Sequence, residues 1–592
     1  MARPVRIGNC SGFYGDRFAA MREMLEGGEL DVLTGDYLAE LTMLILFRSQ
    51  AKDPARGYAT TFLRQLEDCL GLAWEKGVRI VANAGGLNPA GCADAVRELA
   101  GRLGLRVNVA HVEGDDLMSK VGELRGADGS GLANLDTGAP LSGDPLTANA
   151  YLGGWGIATA LDAGAQVVVT GRVTDAALVI GPAAWWHKWA RDDWDQLAGA
   201  LVTGHVLECG AQATGGNYSF FTEIPDNTHL GFPLAEIAED GSSVVTKHPG
   251  TGGAVTVGTV TAQLLYEIGA PAYLNPDVTA RFDTIRLAQE GDDRVRISGV
   301  HGAPPPKTTK VCLNLLGGFR NSMTFLLTGL DIEAKADLVR RQLSPALEGV
   351  DSVTWTLART DHEDPETNEQ AVASLRVTVK DQDAKKIGRP FSSAAVEIAL
   401  ASYPGCTLTS PPGDATMYGV YWPALVANDV VEHAVVLDNG DRVAIDAAPT
   451  AARGQFTASS ASGGEAPGLH ETGRPAGVMR APLGTVAGAR SGDKGGNANL
   501  GVWVESDAAY QWLSAGLTVE KFKELLPETK EYDVQRFDLP NIRALNFVVH
   551  GLLGEGVAAG TRQDPQAKGL GEWLRARHVN IPLALLEDGE VE

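Results

Sequence analysis

Four short apolar runs within the first 220 residues, at 5–8, 78–82, 106–112 and 166–170, constrain the fold of this chain more than any other feature. Each ends in a polar or glycine-rich turn, and segments 17–26, 90–103 and 150–163 between them have the pattern of helices. Apolar strands alternating with helices are the sequence form of repeated βα units, which pack as a parallel sheet covered by helices. The expectation is an α/β fold with a Rossmann-like N-terminal parallel sheet over residues 1–245. Ligands of open α/β sheets bind outside the carboxyl ends of the strands. The turns at 8–16, 83–89, 113–116 and 171–175 are therefore candidate ligand contacts, with Asn9, Ser11, Gly12, Asn83, Gly85, Gly86 and Asn88 as the residues they offer.

A chain of 592 residues exceeds the length of about 250–300 over which one core keeps growing, so several domains are expected. From 246 to 450 the apolar runs lengthen, at 281–287, 311–315, 353–357 and 375–379, with helical patterns at 332–347 and 392–401; this reads as an α+β domain. Residues 451–480 are rich in Ala, Gly, Ser and Pro and read as a flexible linker. Beyond it, strands at 500–504, 544–549 and 578–582 alternate with helices at 508–515, 519–526 and 566–575, an order compatible with a ferredoxin-like α+β domain at 481–592.

Composition narrows the partners. A formal net charge of −24 disfavours nucleic acid and anionic membranes as partners, while leaving a small anionic substrate open. The six cysteines form no CxxC pair, so neither a disulfide framework nor a zinc site is indicated, and no metal ligand set is assigned. The N-terminal segment lacks the apolar core of a secretion signal, and no run reaches the ~18 apolar residues of a membrane span. A cytoplasmic protein is expected, with a homo-oligomer as the prior for a large enzyme of that compartment.

Several motifs carry chemical potential. The opening turn GNCSGFYGD spaces its glycines as GxxxGxxG, which departs from the dinucleotide fingerprint. Arg172 and Asp175 follow an apolar strand; they suit each other as an ion pair, and the planar guanidinium of Arg172 also suits a substrate carboxylate. The segment 204–218 gathers His205, Glu208, Cys209 and Asn217 among glycines, making Glu208 and His205 the leading acid/base candidates. Cys209 reads either as a nucleophile activated by His205 or as an inert buried thiol. Thr251, Gly252 and Gly253 resemble an anion cradle, although no GK[ST] triad follows. The run 489–503 is the densest polar glycine segment: Arg490, Ser491, Gly492, Asp493, Lys494 and Asn497 read either as an anion-binding loop or as a tight turn before a strand.

Taken together, the segments GNCSGFYGDR, DVLTGDYLAELTM, ANAGGLNP, DAGAQVVVTGRVTDAALVIGP, GHVLECGAQATGGNY, HPGTGGAVTVGTV, SYPGCTLTS and ARSGDKGGNANLG resemble the acyclic terpene utilisation (AtuA-like) family. The resemblance covers about residues 4–450, with a C-terminal AtuA-like ferredoxin-fold domain at about 480–590. It implies a bacterial cytoplasmic protein associated with catabolism of branched acyclic terpenoids such as citronellol and geraniol, whose intermediates are carried as coenzyme A thioesters. It carries over no catalytic residues. The function expected is an enzyme acting on a small carboxylate or acyl-CoA by acid/base chemistry, of hydratase or lyase type. Glu208 and His205 would move protons, Arg172 would hold a carboxylate, and Gly252 and Gly253 or the glycines of 492–496 would meet an oxyanion or phosphate. No cofactor is expected beyond a coenzyme A thioester as substrate. The competing expectations are a non-catalytic binding or assembly subunit and a nicotinamide-dependent oxidoreductase.

Overall fold

The parallel strands form only the centre of a larger mixed sheet. In this computed structural model, which describes residues 3–127, 129–411, 413–449 and 477–587, Val5–Asn9, Val32–Gly35, Arg79–Ala82, Val167–Thr170 and Val109–Glu113 lie side by side in that order, all parallel. Val32–Gly35 lacks a long apolar run and was not expected from the sequence. Six antiparallel strands extend the sheet to eleven: Pro233–Ile237, Ser243–Lys247, Arg294–Ser298 and Arg286–Gly291 beyond one edge, Ala434–Val436 and Arg442–Ala444 beyond the other. The expected purely parallel sheet is thus corrected to a mixed one. The reason is loop length: strands joined by only a few residues, such as Pro233–Ile237 and Ser243–Lys247, can pair only antiparallel, whereas parallel neighbours need a long crossover.

Helices Ala20–Gly27, Thr60–Lys76 and Pro89–Arg102 cover the parallel strands, and Met24, Leu25, Phe62, Leu66, Cys92 and Val96 share a core with Leu33, Ile80 and Val169. Helix Trp194–Leu207 is buried at every position from Leu197 onward.

The chain divides into two compact units, one of residues 1–314, 421–557 and 566–592, the other of 315–420 with 558–565. The expected boundaries fall elsewhere. Position 245/246 cuts strand Ser243–Lys247, and helix Val257–Leu264, capped by Thr256, follows soon after. The expected linker lies, apart from residues 477–480, outside the described residues; Val478–Pro482 is already a strand, paired with His578–Pro582.

The smaller unit is antiparallel α+β. Phe325 and Leu327 on strand Thr308–Thr328, with Leu375 and Val377 on Val372–Asp381, present one face of the sheet. That face shares a core with Val339 and Leu343 of helix Ile332–Leu347 and with Phe391 of Arg389–Glu397.

Apart from residues 558–565, the ferredoxin-like domain belongs to the larger unit. Its sheet runs Gly488–Lys494, Asn497–Trp503, Ala544–Val549, Val534–Leu539, antiparallel throughout. The glycine-rich segment, expected as an anion-binding loop or a tight turn before a strand, is a two-stranded hairpin, turned by Gly495 at φ 64° and Gly496 just before strand Asn497–Trp503. Side chains alternate across it. Ala498, Leu500 and Val502 enter the domain's own core with Phe522 and Phe547, while Asn499 and Gly501 face residues 265–269. A Cβ on Gly501 would stand 2.5 Å from the Cβ of Leu265, so only glycine permits this approach. Gly501→Ala is expected to cost about 1–3 kcal/mol, the usual scale of overpacking. Urea unfolding checks this, and an unchanged midpoint would show that the hairpin does not sit against Leu265.

Candidate active site

Just beyond the ends of the parallel strands lie Asp36, Asn83, Asp115 and Arg172, all buried. The chain passes outward from Val5–Asn9 to Arg79–Ala82 and on to Val109–Glu113, then returns to insert Val167–Thr170 between the last two. Such a reversal leaves a crevice at the strand ends. Arg172 follows the inserted strand, and its position is determined on all sides. Its backbone N–H donates to Asp115 Oδ2 at 2.9 Å, which also accepts from Asn149 Nδ2 at 2.9 Å. The guanidinium donates to Asp175 Oδ1 at 2.9 Å and to the Leu38 carbonyl at 3.3 Å, and lies 4.4 Å from the centroid of Tyr151. The ion pair expected between Arg172 and Asp175 is present, and both residues line a cavity.

The cavity has a volume of about 470 Å³. It is lined by Tyr151, Arg172 and Asp175, by Glu267 and Tyr273, by Lys310 and Tyr421, and by Asp493, Lys494, Gly495 and Asn497 of the hairpin tip. Leu135, Leu274, Leu425 and several prolines supply apolar surface. Lys494 Nζ lies 5.7 Å from the Tyr273 ring centroid and donates to the Glu267 carbonyl at 3.0 Å. Asn497 Nδ2 donates to Asp136 Oδ1 at 2.9 Å.

Glu208, His205 and Cys209 do not line this cavity. They lie at the C-terminal end of helix Trp194–Leu207, where Asn9 Nδ2 donates to the carbonyls of Leu207 at 2.6 Å and Glu208 at 3.2 Å. Asn9 thus satisfies the exposed helix end and fixes Glu208. His205 Nδ1 stands 3.0 Å from Glu208 Oε1 but off the line of a hydrogen bond. Both charges are suppressed. Burial pushes His205 down to about 4. Burial, reinforced by the charges of Asp175 and Glu267, holds the Glu208 carboxyl well above the usual range against the opposing pull of Arg172 and Lys494. With the imidazole uncharged, the pair is no salt bridge despite the short distance. Those four residues all line the cavity, which makes Glu208 its electrostatic neighbour. Tyr273, also on the cavity wall, has its ring centroid 5.4 Å from that of His205. Cys209 is pushed up by burial and then by Glu208, which leaves it a thiol and argues against the nucleophile reading.

The other expected contacts are engaged in holding the fold. Ser11 Oγ donates to the Phe13 carbonyl at 3.1 Å, and a Cβ on Gly12 would meet the Cys209 backbone at 2.8 Å. Asn83 accepts from the Tyr37 N–H at 2.7 Å and donates to Asp36 at 2.6 Å. Asn88 caps helix Pro89–Arg102, and a Cβ on Gly85 would stand 2.5 Å from the Thr170 carbonyl, while Gly86 turns the chain at φ 54°. Thr251 Oγ1 donates to the His248 carbonyl at 2.7 Å, Gly252 bridges Leu230, and Gly253 turns the chain at φ 86°. Asn217 accepts through its carbonyl from Arg490 Nη1 at 3.0 Å; Arg490 also bonds Gln212 and lies 4.2 Å from the Tyr266 centroid. Ser491 Oγ accepts from the Gly571 N–H at 2.8 Å, and Gly492 abuts Tyr266. None of these residues lines the cavity. The sequence brought out Arg172, Asp175, Asp493, Lys494 and Asn497, and missed Tyr151, Glu267, Tyr273, Lys310 and Tyr421. Isolated lysines and tyrosines in apolar or threonine-rich runs carry no spacing that separates a cavity wall from a surface.

These features define a mixed α/β protein with a ligand-sized cavity at the strand ends, closed on one side by a ferredoxin-like domain. Residues 5–437 match the family model described as acyclic terpene utilisation family protein AtuA, and residues 481–580 match the AtuA ferredoxin-like domain. The chain belongs to the acyclic terpene utilisation family. No curated protein matches it. No helix among the described residues is long and apolar enough to cross a membrane, and no group of three or more metal-ligating side chains occurs among them.

Burial pushes Asp115 up to about 6. A carboxyl raised above its unfolded value of about 3.9 contributes stability in full below that value and loses it as pH rises through about 6. Asp115→Asn keeps the acceptor for Arg172 and Asn149 without the ionisation. Its melting temperature is therefore expected to gain on that of the native chain between pH 4 and 7 and to level off above. Parallel curves across that range would show that Asp115 does not titrate there.

Proposed function

We propose that this protein is an enzyme of branched-chain or terpenoid carboxylate or acyl-CoA catabolism, adding or removing water or cleaving next to a carbonyl by acid/base chemistry. The observation that carries the reading is Glu208: a buried carboxyl held well above the usual carboxylate range beside a cavity lined by Arg172, Asp175 and Lys494. A buried neutral carboxyl is a proton donor matched to neutral pH, and a carboxylate in the same site supplies the base. In the dehydration direction Asp175 takes the proton next to the carbonyl and the electron pair forms the double bond. Glu208 does not itself line the cavity, so its proton reaches the departing hydroxyl by way of one water molecule, and the hydroxyl leaves as water. Lys494 and Arg172 stabilise the negative charge that develops on the carbonyl oxygen. His205, neutral and behind Tyr273, orients this end of the helix; it holds no proton to give above about pH 4. The cavity volume suits the acyl portion of a coenzyme A thioester, with the nucleotide left outside.

An assembly role for the 489–503 hairpin loses its motivation, since both faces of strand Asn497–Trp503 are buried within the chain. Glu208→Gln preserves the shape of the neutral acid without its proton. It is expected to lower turnover by roughly a hundredfold or more with no loss of melting temperature. The assay follows loss of conjugated absorbance on hydration of branched unsaturated acids and their coenzyme A thioesters. Full activity in this variant rejects the assignment. Lys494→Ala is expected to lower turnover with the oligomeric state, read by light scattering, unchanged; lost assembly with retained turnover would return the hairpin to a docking role.

A further inference from the structure

Among the residues that line the cavity, four carboxylates, Asp136, Asp175, Glu267 and Asp493, face three cations, Arg172, Lys310 and Lys494. Such a wall repels a second negative charge unless one cation is left for it. Arg172 already pairs with Asp175, and Lys494 already donates one hydrogen bond to the Glu267 carbonyl. Lys310 makes no side-chain hydrogen bond or ion pair to any described residue. Its ammonium instead lies 5.0 Å from the ring centroid of Tyr151 and 5.6 Å from that of Tyr421. Its backbone carbonyl accepts from the Tyr151 N–H at 3.0 Å, so the stem of the lysine and the first ring are tied together at the base. Two aromatic faces hold a cation in place by their quadrupoles while leaving its N–H donors directed elsewhere. Leu135, Leu274 and Leu425 line the same space with apolar surface.

We infer that Lys310, held between Tyr151 and Tyr421, binds the carboxylate of a substrate whose remainder is apolar. This rests on the reading of the cavity as the active site and names the end of the substrate that anchors there. A monoanion fits and a dianionic phosphate does not, because the four lining carboxylates oppose the second charge. The apolar residues receive the hydrocarbon body.

Calorimetric titration with octanoate and octanamide tests the inference on the intact protein, because the two probes share a chain and differ in charge. The native chain is expected to bind octanoate at least roughly tenfold more tightly than octanamide, the scale of one charge-assisted hydrogen bond. In Lys310→Met that preference falls to about one with octanamide binding kept, which shows that the cavity is still formed; Lys310→Arg restores it. Inorganic phosphate at millimolar concentration is expected not to displace octanoate. Retained preference in Lys310→Met, absence of preference in the native chain, or displacement by phosphate would each overturn the inference. Binding through Lys310 in a protein that turns over no acid or thioester would instead sink the enzymatic reading and leave this one standing.

Discussion

Glu267 has left-handed backbone geometry, at φ 57°, which costs a residue with a side chain about 1–3 kcal/mol unless its surroundings hold it there. The ferredoxin-like domain does the holding. Its Asn499 Oδ1 accepts from the Glu267 N–H at 2.7 Å, and its Lys494 Nζ donates to the Glu267 carbonyl at 3.0 Å. Asn499 Nδ2 meets the Leu265 carbonyl at 2.8 Å and Asn546 at 2.8 Å, and Asn546 Nδ2 reaches the Gly269 carbonyl at 2.8 Å. Two fully buried amides thus satisfy the backbone of the turn that follows helix Val257–Leu264. Removing either leaves buried backbone groups unmet, so the docking specifies one position for the domain. That position places Lys494 and Asn497 on the cavity wall.

The strand-end turns play a corresponding role from the other side. Asn9, Asn83, Asn88 and Asp115 do not reach the cavity as ligand contacts; they hold Glu208, Asp36, the helix Pro89–Arg102 and Arg172 in place. The polar residues at strand ends divide into those that touch the cavity and those that position them. Burial then sets the protonation pattern. Burial raises the Glu208 carboxyl well above the usual range and lowers His205 to about 4.

This division explains how much could be read in advance. Four of the five central strands were visible because strands buried on both faces are uniformly apolar. Val32–Gly35 was not, because its short VLTG run looks like a turn. Four of the six antiparallel extensions lie in a segment assigned to another domain, since sheet membership depends on long-range pairing that periodicity does not record. In the site, Arg172 with Asp175 and Lys494 with Asn497 stood out through clustered polar and glycine residues. Lys310 begins a long alternating strand and Glu267 sits at a helix exit, so neither differs locally from an ordinary surface residue; only the fold brings them together.

The central claim is that the C-terminal hairpin and the strand-end turns share one ligand cavity. Hydrogen exchange in the presence and absence of a saturating branched-chain carboxylate tests it most directly. The account predicts slowed exchange together in peptides covering 172–176, 267–276 and 493–497. Slowing confined to 9–16, 83–89 and 251–253, with the hairpin tip unchanged, would contradict it.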